Sequence, residues 1–207
     1  MGVAKTLWDL LDYRRVSENI VDTRDPGTGD HFAGPRPLRW RLGVSAALIL
    51  GAVVNEVSAG SSLQWGGYRL RVVWPLSDSF ADPGNDSSVS VVVEPKAPCT
   101  YYLSAVSLGD LGEEPQRILL AREDFGSLDV VKVSHHGSRD QFEGLYQEID
   151  ATVGLIGVGE DNTYGHPTRR APDILASAGT MALRSDKRGI ITVSPGMNGQ
   201  LAIWSQR

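Results

Sequence analysis

Between residues 113 and 179 short apolar runs alternate with helical stretches, and this alternation limits the fold more than any other feature of the chain. "SLDVVKVS" and "TVGLIGV" are near-continuous apolar runs, the pattern of strands covered on both faces. "EEPQRILLARE" starts with glutamates and carries Pro115 in its first turn, where a missing N–H leaves no bond unmade, so it reads as a helix. "QFEGLYQEI" sets Phe142, Leu145, Tyr146 and Ile149 at i, i+3, i+4 and i+7, and "RRAPDILASAG" reads as a helix closed by Gly179. Upstream the rhythm is that of strands. "YRLRVVWP" alternates, with Tyr68, Leu70, Val72 and Trp74 predicted on one face and Arg69 and Arg71 on the other. "SSVSVVVE" alternates too and predicts a hairpin with "TYYLSAVSL" across "PKAPC". Further strands are expected at "NIVDT", at 46–54, and at "MALRS", "GIITV" and "LAIW"; Leu7, Leu10 and Leu11 predict a helix over 4–14. The expectation is an α/β protein with helices outside mixed sheets, a single domain over 1–207.

Composition excludes several classes. The net charge of −5 argues against a generic nucleic-acid coat, which neutralises many phosphates with Lys and Arg. It leaves open an enzyme that holds a nucleic acid locally. Cys99 is the one cysteine, so no internal disulfide and no CxxC zinc site can form. No apolar run approaches the ~18 residues of a membrane span, and "MGVAKTLWDLL" lacks the plan of a signal peptide, so the chain as given is expected to be soluble.

The four histidines all fall in loops that leave predicted strands. "GTGDHFAGP" holds Asp30 and His31, "SHHGSRD" holds His135 and His136, and "NTYGHPTRR" holds His166; a fourth such loop, "SLGDLGEEP", holds Asp110. Strand exits are where α/β folds build their sites. Imidazole and carboxylate together suit zinc, manganese or iron, with carboxylates favouring the harder ions. For any one residue a cap or a solvated turn is the commoner role; it is the grouping that points to chemistry.

"GNDSSVSVVVE", "SLGDLGEEPQRILL", "LDVVKVSHHGSRDQF", "GVGEDNTYGHPTRRAPDIL" and "ALRSDKRGIITV" follow one another in order from about residue 57 to 194. Together they resemble the metallo-β-lactamase-like domain of ComEC-type DNA-internalisation (competence) proteins. The resemblance implies an αββα sandwich with a metal site between sheet edges. It implies Asp110 as a bridging ligand, His135 as a ligand with His136 as the alternative, and His166 as a group that holds or protonates a phosphate oxygen. Asn85 to Ser88 occupy the position where related hydrolases place another ligand histidine; a turn leading into a strand is the other reading. The implied chemistry is phosphodiester hydrolysis, in which a bound divalent ion lowers the pKa of water and stabilises the departing oxygen.

Two departures qualify this. The family's first motif, roughly His-x-Asp-x-Asp-His-x-Gly-Gly, meets "VDTRDPGTGDHFAGP" here. Asp30 and His31 match its closing pair, but Arg24 stands where the opening His belongs; Asp25 substitutes for a lost ligand only if the longer loop folds back, and with strict spacing Pro26 and Thr28 fill the earlier positions. A guanidinium repels a cation at any working pH. The expected metal set is therefore Asp30, His31, Asp110 and His135 around one manganese or zinc ion rather than two, or around none. The family's opening strands, with an Asp-Val-Gly-Gln-Gly-Asp-Ala type segment, have no match before residue 20, so the domain is read as truncated at its N-terminus and its open sheet edge as a route to a homo-dimer or a partner.

The readings that follow are a metal-dependent phosphodiesterase or nuclease-like domain linked to DNA uptake, with Asp110 and His166 catalytic, and a catalytically inactive module of the same fold for DNA guiding or protein docking. Hydrolysis of a lactone or thioester is a third. His136, Ser138, Arg169 and Arg170 are the expected substrate-binding residues; Arg36, Arg39 and Arg41 form a second basic run, while Trp40 and Trp65 read as core. The partner is DNA, and in a longer parent protein a membrane channel, which would set the domain on the extracytoplasmic face; otherwise the chain is cytoplasmic.

Overall fold

Seven strands succeed one another across one sheet in the order of the sequence. A computed structural model describes residues 57–77, 84–97, 102–196 and 199–207. The helix expected at 4–14, the strands at "NIVDT" and 46–54, and Arg24, Asp25, Asp30, His31, Arg36, Arg39, Trp40, Arg41 and Cys99 lie outside these residues.

The first half of the sheet is an antiparallel meander of β1 (Ser62–Trp65), β2 (Tyr68–Trp74), β3 (Ser90–Pro95) and β4 (Ala105–Ser107). β4, β5 (Val130–Lys132), β6 (Val153–Ile156) and β7 (Met181–Arg184) run parallel. Parallel neighbours need crossovers, and the three helical segments supply them: α1 (Glu113–Leu120), α2 (Glu143–Ile149) and α3 (Arg170–Ser177). A short helix α4 (Ser185–Arg188) follows β7, and β8 (Ile191–Pro195) and β9 (Leu201–Ser205) pair as a separate antiparallel hairpin. The α/β class expected from the alternation is the class observed.

Each face of the sheet is covered. Val92, Val106 and Val131 point one way and meet Leu119, Leu145, Tyr146, Ile149, Ile174 and Leu175 from the helices. Val91, Val93, Ala105, Val130, Val153 and Leu155 point the other way and are covered by Ile191, Val193 and Leu201 of the hairpin. Burying each such side chain contributes about 1.5–3 kcal/mol, so the central strands are apolar on both sides. Gly154 marks a close approach of helix to sheet: a Cβ there would lie 2.8 Å from Leu175 on α3.

One expectation fails. Trp74 does not share a face with Tyr68, Leu70 and Val72, because the β2–β3 register shifts between Val72 and Trp74. The bulge turns Trp74 into the helix-side core with Val73. There its indole N–H donates to the Asp86 carbonyl at 2.7 Å, fixing the turn that precedes β3. Trp65 packs as core, stacked on Tyr68 with ring centroids 6.4 Å apart.

Candidate active site at the carboxyl ends of the parallel strands

Three consecutive parallel strands, β4, β5 and β6, release their chains at one end of the sheet, where open α/β sheets bind ligands. The first loop turns at Gly109, whose φ of +60° suits glycine. A Cβ there would also come 2.7 Å from Ser88 Cβ. The Gly109 carbonyl accepts from the His135 amide at 3.1 Å, the buried Lys132 ammonium at 3.1 Å and the Ser134 hydroxyl at 3.4 Å, which joins the first loop to the second. Asp110 follows, half-buried, and its carboxylate has no hydrogen-bond partner among the described residues.

The second loop is strained. His135, His136 and Gly137 occupy the left-handed region in succession, at φ of 44°, 53° and 76°. For a residue with a Cβ this costs about 1–2 kcal/mol each, and such strain gathers at functional sites. The loop is held at both ends: the Ser138 amide donates to the His135 carbonyl at 2.9 Å, and the Thr168 amide to the Gly137 carbonyl at 2.8 Å. His136 Nδ1 lies 2.7 Å from the Gly157 carbonyl. A carbonyl only accepts, so Nδ1 carries the proton shared with Gly157 and Nε2 is the ring nitrogen left to face a ligand.

The third loop brings His166 to the second. The His135 and His166 rings are 5.5 Å apart at 61°. His166 Nδ1 is enclosed and has no hydrogen-bond partner among the described residues. Burial first, then the charges of His135 and His136, hold its pKa below the usual histidine value. The Asn85 amide nitrogen lies 3.4 Å from each ring nitrogen of His135, so the "NDSS" segment, a 3-10 turn over Asn85–Ser87, contributes directly to the site. That turn is pinned by Trp74 and by the Gly112 amide, which donates to the Asp86 carboxylate at 3.2 Å. The Glu113 amide donates to the Asp140 carboxylate at 3.0 Å, so carboxylates from two other loops serve the start of α1.

Under the histidine loop lies a closed polar network that periodicity did not disclose. Gln141 Nε2 donates to the Ser134 carbonyl at 3.1 Å and to Ser138 Oγ at 3.3 Å, spanning the strained residues. Its Oε1 accepts from the Tyr146 hydroxyl and from Gln116 Nε2, and Gln116 also donates to the Leu111 carbonyl at 2.7 Å. The Tyr146 hydroxyl accepts the Ser134 amide at 3.3 Å, and burial pushes its pKa upward. The one clue in the sequence is a tyrosine on the apolar face of "QFEGLYQEI"; nothing there separates buried Gln141 from exposed Gln147.

Asp110, His135, His136 and His166 are thus all at the carboxyl ends of the parallel strands, and His135, His166 and Asn85 are neighbours there. Ser138 points inward to Gln141 and is buried. Arg169 is solvent-facing, 3.7 Å from Asp173, while Arg170 donates to the Gln141 carbonyl at 3.0 Å and sits 3.8 Å from Glu113. Among the described residues no three His, Cys, Asp or Glu side chains gather as a metal-ligand set.

No family model matches the chain. It is similar to ComE operon protein 3 of Bacillus subtilis (strain 168), with 29% identity over 149 residues, 72% of this chain. Those residues span 18% of that protein's length. The similarity supports a relation to ComEC-type competence proteins.

Proposed function

We propose that this chain is a metallo-β-lactamase-like domain acting on the phosphodiester backbone of DNA within a DNA-uptake system. The observation that carries the reading is the meeting of His135 and His166 in a strained, hydrogen-bonded loop cluster beside Asn85 and Asp110. A sequence with no use for the imidazoles of His135 and His136 gains nothing from holding both in left-handed backbone.

The donor chemistry fits one manganese or zinc ion in part. Asp110 has a carboxylate unengaged among the described residues, and His135 presents an imidazole whose neighbour is an amide rather than a cation. A divalent ion of this class takes about four ligands, so Asp30 and His31 would complete the set. Such an ion would polarise the phosphate and acidify a water. The chain's own contributions are distinct from it. His166, its pKa lowered first by burial, has Nδ1 enclosed, so its exchange of a proton with a phosphate oxygen falls to Nε2. His136 is fixed in one tautomer by Gly157, and the Gln141 network keeps the loop in register. A second reading, a module that guides DNA without cutting it, is favoured by Arg24, which stands where the family's opening histidine belongs. In a parent protein of ComEC type the domain would adjoin a membrane channel; among the described residues no helix is long and apolar enough to cross a membrane.

Elemental analysis after purification without chelator tests the reading, with an Asp110→Ala sample beside the unaltered chain. Bound manganese or zinc, reduced in the variant and accompanied by manganese-dependent cleavage of DNA, is the expected result. No metal in either sample after soaking in manganese overturns hydrolysis and leaves the guiding module.

A further inference from the structure

The hairpin of β8 and β9 has two faces, and the core uses one of them. Ile191, Val193 and Leu201 are packed against the sheet. The ladder sets Thr192 opposite Trp204 and Ser194 opposite Ala202, and side chains alternate along a strand, so these four project from the other face. Ile190 joins them, because the Gln206 amide donates to its carbonyl at 2.9 Å and carries the ladder one pair beyond the strand ends. Trp204 is 59% and Ile190 61% exposed. The two are diagonal neighbours on adjoining strands, close enough for their side chains to act as one apolar surface. A single exposed apolar residue needs no explanation; an indole and an isoleucine side by side on one hairpin face call for one.

Beside this pair the surface is basic. α4 ends in Lys187 and Arg188, both exposed and in no ion pair among the described residues. The Arg207 amide donates to the Arg188 carbonyl at 3.0 Å, which holds α4 against the end of β9. Two carboxylates feel the Lys187 charge, Glu160 and Asp186, and each is already held by an arginine. Arg207 donates to Glu160 at 2.7 and 2.8 Å, and Arg184 to Asp186 at 3.0 and 2.6 Å. An exposed indole flanked by such cations fits the boundary between water and hydrocarbon. The ring enters the apolar layer with its N–H at the headgroups, while Lys and Arg reach anionic headgroups on flexible stems. A second copy fits less well, since a two-fold contact over this face brings like charges together. We propose that the outer face of the β8–β9 hairpin, with Trp204 and Ile190 at its centre and Lys187 and Arg188 beside them, is a docking surface for an anionic lipid membrane. Two apolar side chains and two charges give weak, reversible attachment. Nothing in this surface draws on the chemistry at the histidines.

The test is co-sedimentation of the full chain with vesicles of phosphatidylcholine alone and of phosphatidylcholine with about one-third phosphatidylglycerol. Salt is held fixed, because it screens the surface attraction. The unaltered chain is expected to sediment with the anionic vesicles and to stay in solution with the neutral ones. Trp204→Ser is expected to weaken the anionic partition by about 10- to 100-fold. Lys187→Gln combined with Arg188→Gln is expected to weaken it by about 30-fold, at about fivefold for each cation. Trp204→Tyr, which keeps an amphipathic ring, is expected to retain most of it. The charge variant changes exposed side chains alone, so it decides the matter even where Trp204→Ser fails to fold. No partition onto the anionic vesicles, or equal partition by the unaltered chain and the charge variant, overturns the docking surface. A chain that is dimeric without vesicles and monomeric as Trp204→Ser gives the face to a second copy and overturns the lipid role.

Discussion

Replacing Tyr146 by Phe isolates one bond in the network beneath the histidines. The ring is buried, 2% exposed, and Phe fills the same space, so no cavity term of note enters. What goes is a hydroxyl that donates to Gln141 Oε1 and accepts the Ser134 amide at 3.3 Å. Gln141 Oε1 keeps Gln116 as a donor at 3.3 Å, but the Ser134 amide is left without an acceptor. An orphaned buried donor costs about 1–3 kcal/mol. With a urea slope of about 2 kcal/mol/M the midpoint falls by about 0.5–1.5 M at unchanged slope. Burial keeps the hydroxyl protonated, so the loss is the same across the neutral range. Gln141→Leu should be costlier, since it strips the Ser134 carbonyl and Ser138 as well, and the double variant should lose less than the two singles together. A midpoint shift below about 0.2 M, or strict additivity, would refute the claim that this network holds the loop.

Gly137→Ala meets two obstacles, a φ of +76° and a Cβ placed 2.7 Å from Pro167 Cβ, and is expected to lose about 2–4 kcal/mol in urea unfolding; a loss under about 1 kcal/mol contradicts the geometry. Asp186 holds the Arg184 guanidinium at 3.0 and 2.6 Å, and that pairing lowers its carboxyl pKa below 3.8. Its contribution is therefore complete above 3.8 and fades as the pH falls below it towards the folded-state value. Asp186→Asn should lose about 0.5–1 kcal/mol at neutral pH and converge with the unaltered chain in acid; a gap constant between about pH 7 and pH 3 would refute it.

Period-2 and period-3.6 patterns located most of the described elements because burial is periodic. Leu145, Tyr146 and Ile149 face the core as their spacing predicts, and Gly179 closes α3 at φ of +74°. Patterns fail where register shifts, as at Trp74, and where an element is too short for a period to show, as at Ser62–Trp65 and α4. The strand-exit histidines were legible as loop residues with ligating side chains. Their left-handed backbone was not, because local sequence does not encode a conformation imposed by Gly109 and Thr168 from two other segments and braced by Gln141 from below. Ser138 illustrates the same limit: its place in the His-His-Gly-Ser motif led to its being expected at the substrate, whereas tertiary packing turns it inward.

The backbone at 135 and 136 carries a consequence for how this protein tolerates change. At φ of 44° and 53°, glycine or asparagine folds more easily than histidine. Selection for thermal tolerance alone would therefore favour the loss of both imidazoles, and a stabilised variant library would be enriched in proteins that fold well and have lost the candidate site. At these two positions durability and chemistry are opposed, and a gain in melting temperature is a warning rather than an improvement.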